Sequence, residues 1–205
     1  MSEAGRVIAG SARATHLLAP GEGTRPLADR VKQTLFAILD PDLRDAAVLD
    51  LFAGSGAGGI EALSRGAARA VFVEKDQTAV AVIGQNLVKT HLAARGEVVR
   101  SDVTAYLSGR AAERGPFDIV LIDPPYAETE LLTRTLHLVG APATPAGRQL
   151  LSPEAWVVVK HFWRNPPPAA EGLLGSVRAK RFGETALTFY RLAEPSPAES
   201  KEAGR

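Results

Sequence analysis

Val48-Leu49-Asp50-Leu51-Phe52-Ala53-Gly54-Ser55-Gly56-Ala57-Gly58-Gly59, with Ile60-Glu61-Ala62-Leu63 behind it, is the stretch that decides the fold. A short apolar run enters a glycine-rich turn and the text beyond opens a helical pattern, so the segment reads as strand, tight loop and helix. Such a loop brings backbone amides at a helix N-terminus close to a ligand, as in nucleotide-type cofactor sites. Gly54, Gly56 and Gly59 satisfy Gly-x-Gly-x-x-Gly, and Glu74 follows twenty residues after Gly54, at the end of the strand-like Ala70-Val71-Phe72-Val73. An acid there is placed to accept from ribose hydroxyls. The pattern alone does not separate a dinucleotide from another adenosine-containing cofactor, and glycines so spaced also occur in purely structural turns.

A second stretch carries the chemistry. Ile119-Val120-Leu121-Ile122 reads as a buried strand, and Asp123-Pro124-Pro125-Tyr126 follows it directly. Proline cannot continue a sheet, so the tetrapeptide is expected to be a rigid turn at the strand's carboxyl end, where open α/β sheets place their ligands. The two prolines offer no backbone N–H, which leaves the turn rich in acceptors. The Asp123 carboxylate and the Pro124 carbonyl can both accept from one –NH2 group. An aromatic ring beside them suits a planar base carrying an exocyclic amine. The bland alternative is a strand stopped by proline whose Asp caps the next helix.

Two features favour S-adenosylmethionine. Asp50 stands just before the glycine turn, where a carboxylate suits a cationic amino-acid end and repels a pyrophosphate. The Asp-Pro-Pro-Tyr turn is an acceptor site for an amine, for which a hydride-transfer enzyme has no use. Asp102, after the strand-like Glu97-Val98-Val99-Arg100, is positioned either to accept from an adenine amino group or to cap the helix that starts near Thr104. The candidate cofactor residues are therefore Asp50, Phe52, Ala53, Gly54, Ser55, Gly56, Glu74, Lys75, Asp102 and Val103. Asp123, Pro124, Pro125 and Tyr126 are the candidate catalytic residues.

Working outward, a hairpin is expected over residues 6–18 and a helix over about 27–39, where Val31, Leu35, Ile38 and Leu39 keep helical spacing. Strands centred on Leu49, Phe72, Val99, Val120 and Val158 then alternate with helices, and two late strands at Val177 and Thr188 read as an antiparallel addition. Alternation of this kind gives a mainly parallel sheet covered on both faces. Pro166-Pro167-Pro168 reads as a loop and Pro195 onward as a polar tail.

The composition, 45% hydrophobic and 23% charged over 205 residues, is that of one globular domain. No run is long enough to span a membrane, and the start lacks a signal-peptide layout. Zero cysteines and four scattered histidines fit a reducing cytoplasm without a metal site. Net charge is only +1, but six basic residues against two acids between Lys160 and Arg191, and five against three up to Lys32, make both ends positive.

At this point the chain resembles the RsmD-type small-subunit ribosomal RNA guanine-N2 methyltransferases. The resemblance runs through Asp50-Leu51-Phe52-Ala53-Gly54-Ser55-Gly56, Glu61-Ala62-Leu63-Ser64-Arg65-Gly66-Ala67 and Asp123-Pro124-Pro125-Tyr126. Upstream it includes Arg6-Val7-Ile8-Ala9-Gly10 and the more discriminating Thr24-Arg25-Pro26-Leu27-Ala28-Asp29-Arg30-Val31-Lys32, and downstream Gly183 to Arg191. It implies an α/β, Rossmann-like class I S-adenosylmethionine-dependent methyltransferase fold, with a mainly parallel seven-stranded sheet, an antiparallel last strand and a small N-terminal hairpin-helix extension. Residues 1–192 form one domain in this reading, with 1–40 an RNA-contacting extension, 41–192 the catalytic core and 193–205 the tail. The implied partner is 16S rRNA or the assembling small ribosomal subunit, met by a cytoplasmic monomer through Arg6, Arg13, Arg25, Arg30 and Lys32, with Asp29 orienting Arg25 or Arg30. Two departures stand out: Ala14-Thr15-His16 where the family is more basic, and Lys160-His161 where an acid is expected before the histidine. Alternatives are an adenine-N6 or other amino-methyltransferase acting on DNA or another RNA, an RNA-binding assembly factor without turnover, and a dinucleotide oxidoreductase.

Overall fold

The computed structural model describes residues 3–21, 28–109, 111–142 and 149–193. Thr24, Arg25 and Leu27, and the tail from 194, lie outside the described residues. In chain order the elements are β1 (Glu3–Arg6), β2 (His16–Leu18), α1 (Asp29–Leu39), β3 (Ala47–Leu51), α2 (Ala57–Ser64), β4 (Arg69–Glu74), α3 (Gln77–Lys89) and β5 (Gly96–Arg100). There follow α4 (Val103–Ser108), α5 (Ala111–Arg114), β6 (Phe117–Ile122), α6 (Thr129–Val139), β7 (Leu151–Phe162), β8 (Ala170–Glu171), β9 (Leu174–Phe182) and β10 (Thr185–Leu192).

The main sheet has the order β5-β4-β3-β6-β7-β10-β9-β8. Among the described residues it has eight strands rather than seven, because the two-residue β8 adds an edge too short to leave a periodic signal. β3, β4, β5, β6 and β7 pair in parallel, and β10 runs against both β7 and β9. Strand order reverses beside β3, so a crevice is expected at the carboxyl ends of β3 and β6.

All five residues of β3 are buried, as a strand covered on both faces requires. Alternate residues feed two cores. Val48, Ile60, Phe72, Ile83, Leu121 and Val158 pack together beneath α1, α2 and α3. Leu49, Val71, Leu107, Val120, Leu136 and Val157 pack on the other face beneath α4 and α6. Gly59 lets α2 approach β4 closely, since a Cβ there would stand 2.4 Å from the Phe72 ring.

The N-terminal hairpin and α1 share the first core through Ala4, Val7, Leu17, Val31 and Leu35. Glu61 fastens them: its carboxylate accepts from the backbone N–H groups of Ile8 (2.7 Å) and Ala9 (3.0 Å) and from Arg65 Nε (2.8 Å). Lys32 corrects one expectation. Its side chain is fully buried, 3.9 Å from Glu61, and its ammonium donates to the Arg6 carbonyl, so it cannot reach RNA. Burial pulls the Lys32 pKa down, opposed chiefly by the Glu61 charge.

Candidate active site

Past the end of β3 the chain turns sharply. Phe52 adopts φ 59°, a left-handed conformation that costs a non-glycine residue roughly 1–2 kcal/mol, and strain of this kind is concentrated at functional sites. The turn is held by Ala53 N–H to the Val73 carbonyl (3.2 Å), Gly56 N–H to the Ala53 carbonyl (2.7 Å), and Gly54 N–H to Glu74 Oε2 (2.9 Å). Asn86 of α3 donates to the Ser55 carbonyl (2.9 Å) and exchanges hydrogen bonds with the Leu18 backbone, tying the loop to β2.

Glu74 closes β4, and its other oxygen accepts from Lys75 N–H (2.8 Å) and Asp76 N–H (2.9 Å). Asp102 caps α4: Oδ1 accepts from Thr104 Oγ1 (2.7 Å) and Ala105 N–H (3.0 Å), and these bonds, the hydroxyl's first, hold its pKa below the ordinary value. Asp50 is 4% exposed and accepts from Gly59 N–H at 2.8 Å. Burial pushes its pKa up to about 7; the Gly59 bond opposes this, while the charges of Asp123 and Glu74 add to it.

The Asp123-to-Tyr126 turn follows β6 as expected. Lys160 Nζ engages both carboxylate oxygens of Asp123, at 2.7 and 2.8 Å. Burial raises the Asp123 pKa and the Lys160 ammonium opposes the rise. The Tyr126 hydroxyl shares a 2.7 Å hydrogen bond with Thr185 Oγ1, its ring centroid lies 6.3 Å from that of Phe162, and the Lys160 ammonium stands 5.3 Å over it.

Both halves open onto one cavity of about 490 Å³, within the range of small-molecule sites. Asp50, Phe52, Ala53, Gly54, Ser55, Glu74, Lys75, Asp102, Val103, Asp123, Pro124, Pro125 and Tyr126 all line it. Gly56 does not; it stands back as the buried N-cap of α2. Sequence reasoning missed Lys160 and an apolar wall of Ala4, Leu35, Leu121, Val158 and Leu187. The wall's signal was only the period that made these residues core. His161 stays out of the cavity lining. It is buried, its Nε2 2.9 Å from Thr188 Oγ1 and its Nδ1 2.9 Å from the Phe162 carbonyl, so it is a packed residue with a pKa lowered by burial.

Among the expected RNA contacts, Arg13 and Arg30 are exposed. Arg6 is exposed too, but Asp29 pairs with it at 3.1 Å rather than orienting Arg30. Among the described residues no cluster of His, Cys, Asp and Glu suits a metal ion, and no helix is long and apolar enough to cross a membrane.

The family model described as conserved hypothetical protein 95 matches residues 5–191. The chain belongs to that family. It is 36% identical over 190 residues to the ribosomal RNA small subunit methyltransferase D of Escherichia coli K12, covering 91% of this chain and 89% of that protein. The solved structure of yhhF from Escherichia coli superposes with a TM-score of 0.80 at 34% identity, over 94% of this chain and 99% of that one. SMU.776, solved in complex with SAH, shares the fold at a TM-score of 0.58 and 15% identity, over 77% of this chain and 49% of that one. This member of the conserved hypothetical protein 95 family thus shares its architecture with the solved yhhF and SMU.776.

Proposed function

We propose that the chain is an S-adenosylmethionine-dependent methyltransferase acting on the exocyclic N2 amine of a guanine in 16S rRNA, in the cytoplasm. The observation that carries this reading is the meeting, in one cavity, of the glycine loop and the Asp123-to-Tyr126 turn. The donor set fits the cofactor. Asp50, Glu74, Asp102 and Asp123 outnumber Lys75 and Lys160 in the lining, and this net acidity attracts a cationic ligand and repels the pyrophosphate of a dinucleotide. When bound, S-adenosylmethionine supplies an activated methyl group on a sulfonium. Asp50 holds its cationic amino-acid end, Glu74 accepts from the ribose hydroxyls, and Asp102 accepts from the adenine amine with the oxygen not engaged in capping.

The guanine N2 lone pair is delocalised into the ring, so the amine is a weak nucleophile. Asp123 and the Pro124 carbonyl accept its two N–H groups and favour a more tetrahedral nitrogen with its lone pair exposed. Alignment then does more than basicity, and orientation at near-attack distance is worth about 7–11 kcal/mol. The methylated amine is strongly acidic, and its proton passes to Asp123 or to water. Tyr126, fixed by Thr185, gives the unpaired base a stacking face worth about 1–3 kcal/mol.

The test is to incubate the protein and labelled cofactor with small ribosomal subunits lacking the modification, then digest the RNA and identify the labelled nucleoside. N2-methylguanosine supports the reading. N6-methyladenosine would move the chain to the adenine-N6 alternative, which uses the same residues.

A further inference from the structure

The cavity is acidic, so the charge that attracts a polyanion must stand outside it. The N-terminal segment supplies less than its sequence promises, because Lys32 is buried and Arg6 is paired with Asp29. The other basic end of the chain is ordered by strand register. Lys160 pairs with Leu187, and Leu187 with Lys180, so the three form one row across β7, β10 and β9. Val158, Phe189 and Arg178 form the preceding row, and Phe162, Thr185 and Phe182 the next. Cross-strand partners project to the same face of a sheet. Since Val158, Lys160 and Leu187 line the cavity, Arg178 and Lys180 carry that same face outward, about 10 Å beyond β7 at two strand spacings.

Both side chains are exposed, and β9 contains Arg178, Lys180 and Arg181 without an acid. β8 pairs only with Leu174 and Gly175 at the start of β9. Arg181 differs from its neighbours. It alternates to the opposite face, where its guanidinium lies 3.5 Å over the Trp163 ring and its Nε donates to the Gly183 carbonyl.

We propose that Arg178 and Lys180, on the cavity-side face of β9, bind the phosphate backbone of the RNA that flanks the target nucleotide. This rests on the reading that RNA is the substrate. Charge is complementary, Lys160 links the surface to Asp123, and Phe182 in the next row adds an aromatic contact near where the base leaves the strand. A competing use of edge-strand charge is protection against edge-to-edge pairing, and it would not depend on which face carries the charge.

The test compares wild type with R178A/K180A, R181A and the charge-preserving R178K/K180R, measuring retention of unmethylated 16S rRNA on filters across a salt series, with melting temperature and oligomeric state checked for each. R178A/K180A is expected to weaken binding at least tenfold at low salt and to flatten the dependence of log K on log salt by roughly 1.4, about 0.7 for each phosphate contact on a single strand. R181A is expected to change the slope less, and R178K/K180R to restore it. An unchanged slope in a folded R178A/K180A, an equal loss in R181A, or self-association of the double variant with its slope intact would overturn the assignment. If wild type methylates small ribosomal subunits lacking the modification while R178A/K180A keeps its slope, only this inference fails; if wild type does not methylate those subunits, the proposed function fails first.

Discussion

The ammonium of Lys160 lies between both oxygens of the Asp123 carboxylate, at 2.7 and 2.8 Å, and the two side chains are only 14% and 29% exposed. The pair arises because Ile122 and Val159 are register partners in parallel strands, so the next residue of each emerges side by side at the sheet's carboxyl end. A carboxylate has about four lone-pair sites, so one oxygen pair can hold the ammonium and still accept from an incoming amine.

Lys160 should therefore set the acid side of the pH profile. Burial raises the Asp123 pKa and Lys160 counters it by charge and hydrogen bonding, so Lys160→Met removes both counterweights and the carboxyl rises further. Protonated Asp123 accepts less well, and the acid limb of methyl transfer should move to higher pH. Lys160→Arg should stay near wild type. Turnover measured across pH in all three proteins checks this, and an unmoved limb in a folded Lys160→Met would refute the role.

Asp50 makes a prediction about stability with the opposite sign from an ordinary salt-bridged acid. Its folded pKa of about 7 lies above the ordinary carboxyl value of 3.8, so between those pH values the folded state binds more protons. Stability from this group is present at low pH and is lost as pH rises through about 7. Asp50→Asn keeps an acceptor for Gly59 and should melt higher than wild type at pH 8, with the advantage fading toward pH 5. Its affinity for S-adenosylhomocysteine should fall, and should lose the rise with pH expected of wild type. Parallel melting curves for the two proteins at both pH values would contradict the assignment.

Periodicity made the alternating strands and helices legible, and with them the glycine loop, Glu74 and the Asp123 turn, because each is local in sequence. Lys32 shows what local reading can offer and yet lose. Leu35, Phe36 and Leu39 stand three, four and seven residues after it, which puts Lys32 on the buried stripe of α1, but its partner Glu61 lies on another helix. A lysine in a basic segment was therefore read by charge when its helical phase pointed inward. The Lys160–Asp123 pair was out of reach for a different reason: it depends on which two strands are neighbours, and β6 and β7 are separated by α6.

Glu61 should be a large single contributor to stability. It serves two backbone N–H groups and Arg65 and neutralises the Lys32 ammonium from a fully buried position, so Glu61→Ala leaves two amides without their acceptor and a buried ammonium without its counter-charge. Breaking a buried ion pair in this way costs about 3–5 kcal/mol. Denaturant unfolding followed by circular dichroism measures it, and a loss within the roughly 0–1 kcal/mol of a surface pair would mean that water replaces the carboxylate.

Glu74 separates cofactor binding from chemistry. One of its oxygens holds Gly54 N–H and the other holds Lys75 and Asp76 N–H, so the side chain both shapes the glycine loop and presents the acceptors proposed for the ribose hydroxyls. Glutamine is no conservative substitute, because its –NH2 would face an N–H donor on one side or the other. Hydrogen bonds to a charged group are worth about 1.5–3 kcal/mol, so Glu74→Ala should weaken S-adenosylhomocysteine binding by roughly ten- to a hundredfold. Asp123→Ala should lose most methyl transfer while keeping that affinity within a few fold, since Asp123 is assigned to the target amine. Calorimetry on both variants, with melting temperatures to exclude collapse of the loop, distinguishes the roles. Equal loss of affinity in the two would place Asp123 in the cofactor site, and NAD binding as tightly as S-adenosylhomocysteine to wild type would remove the cofactor assignment altogether.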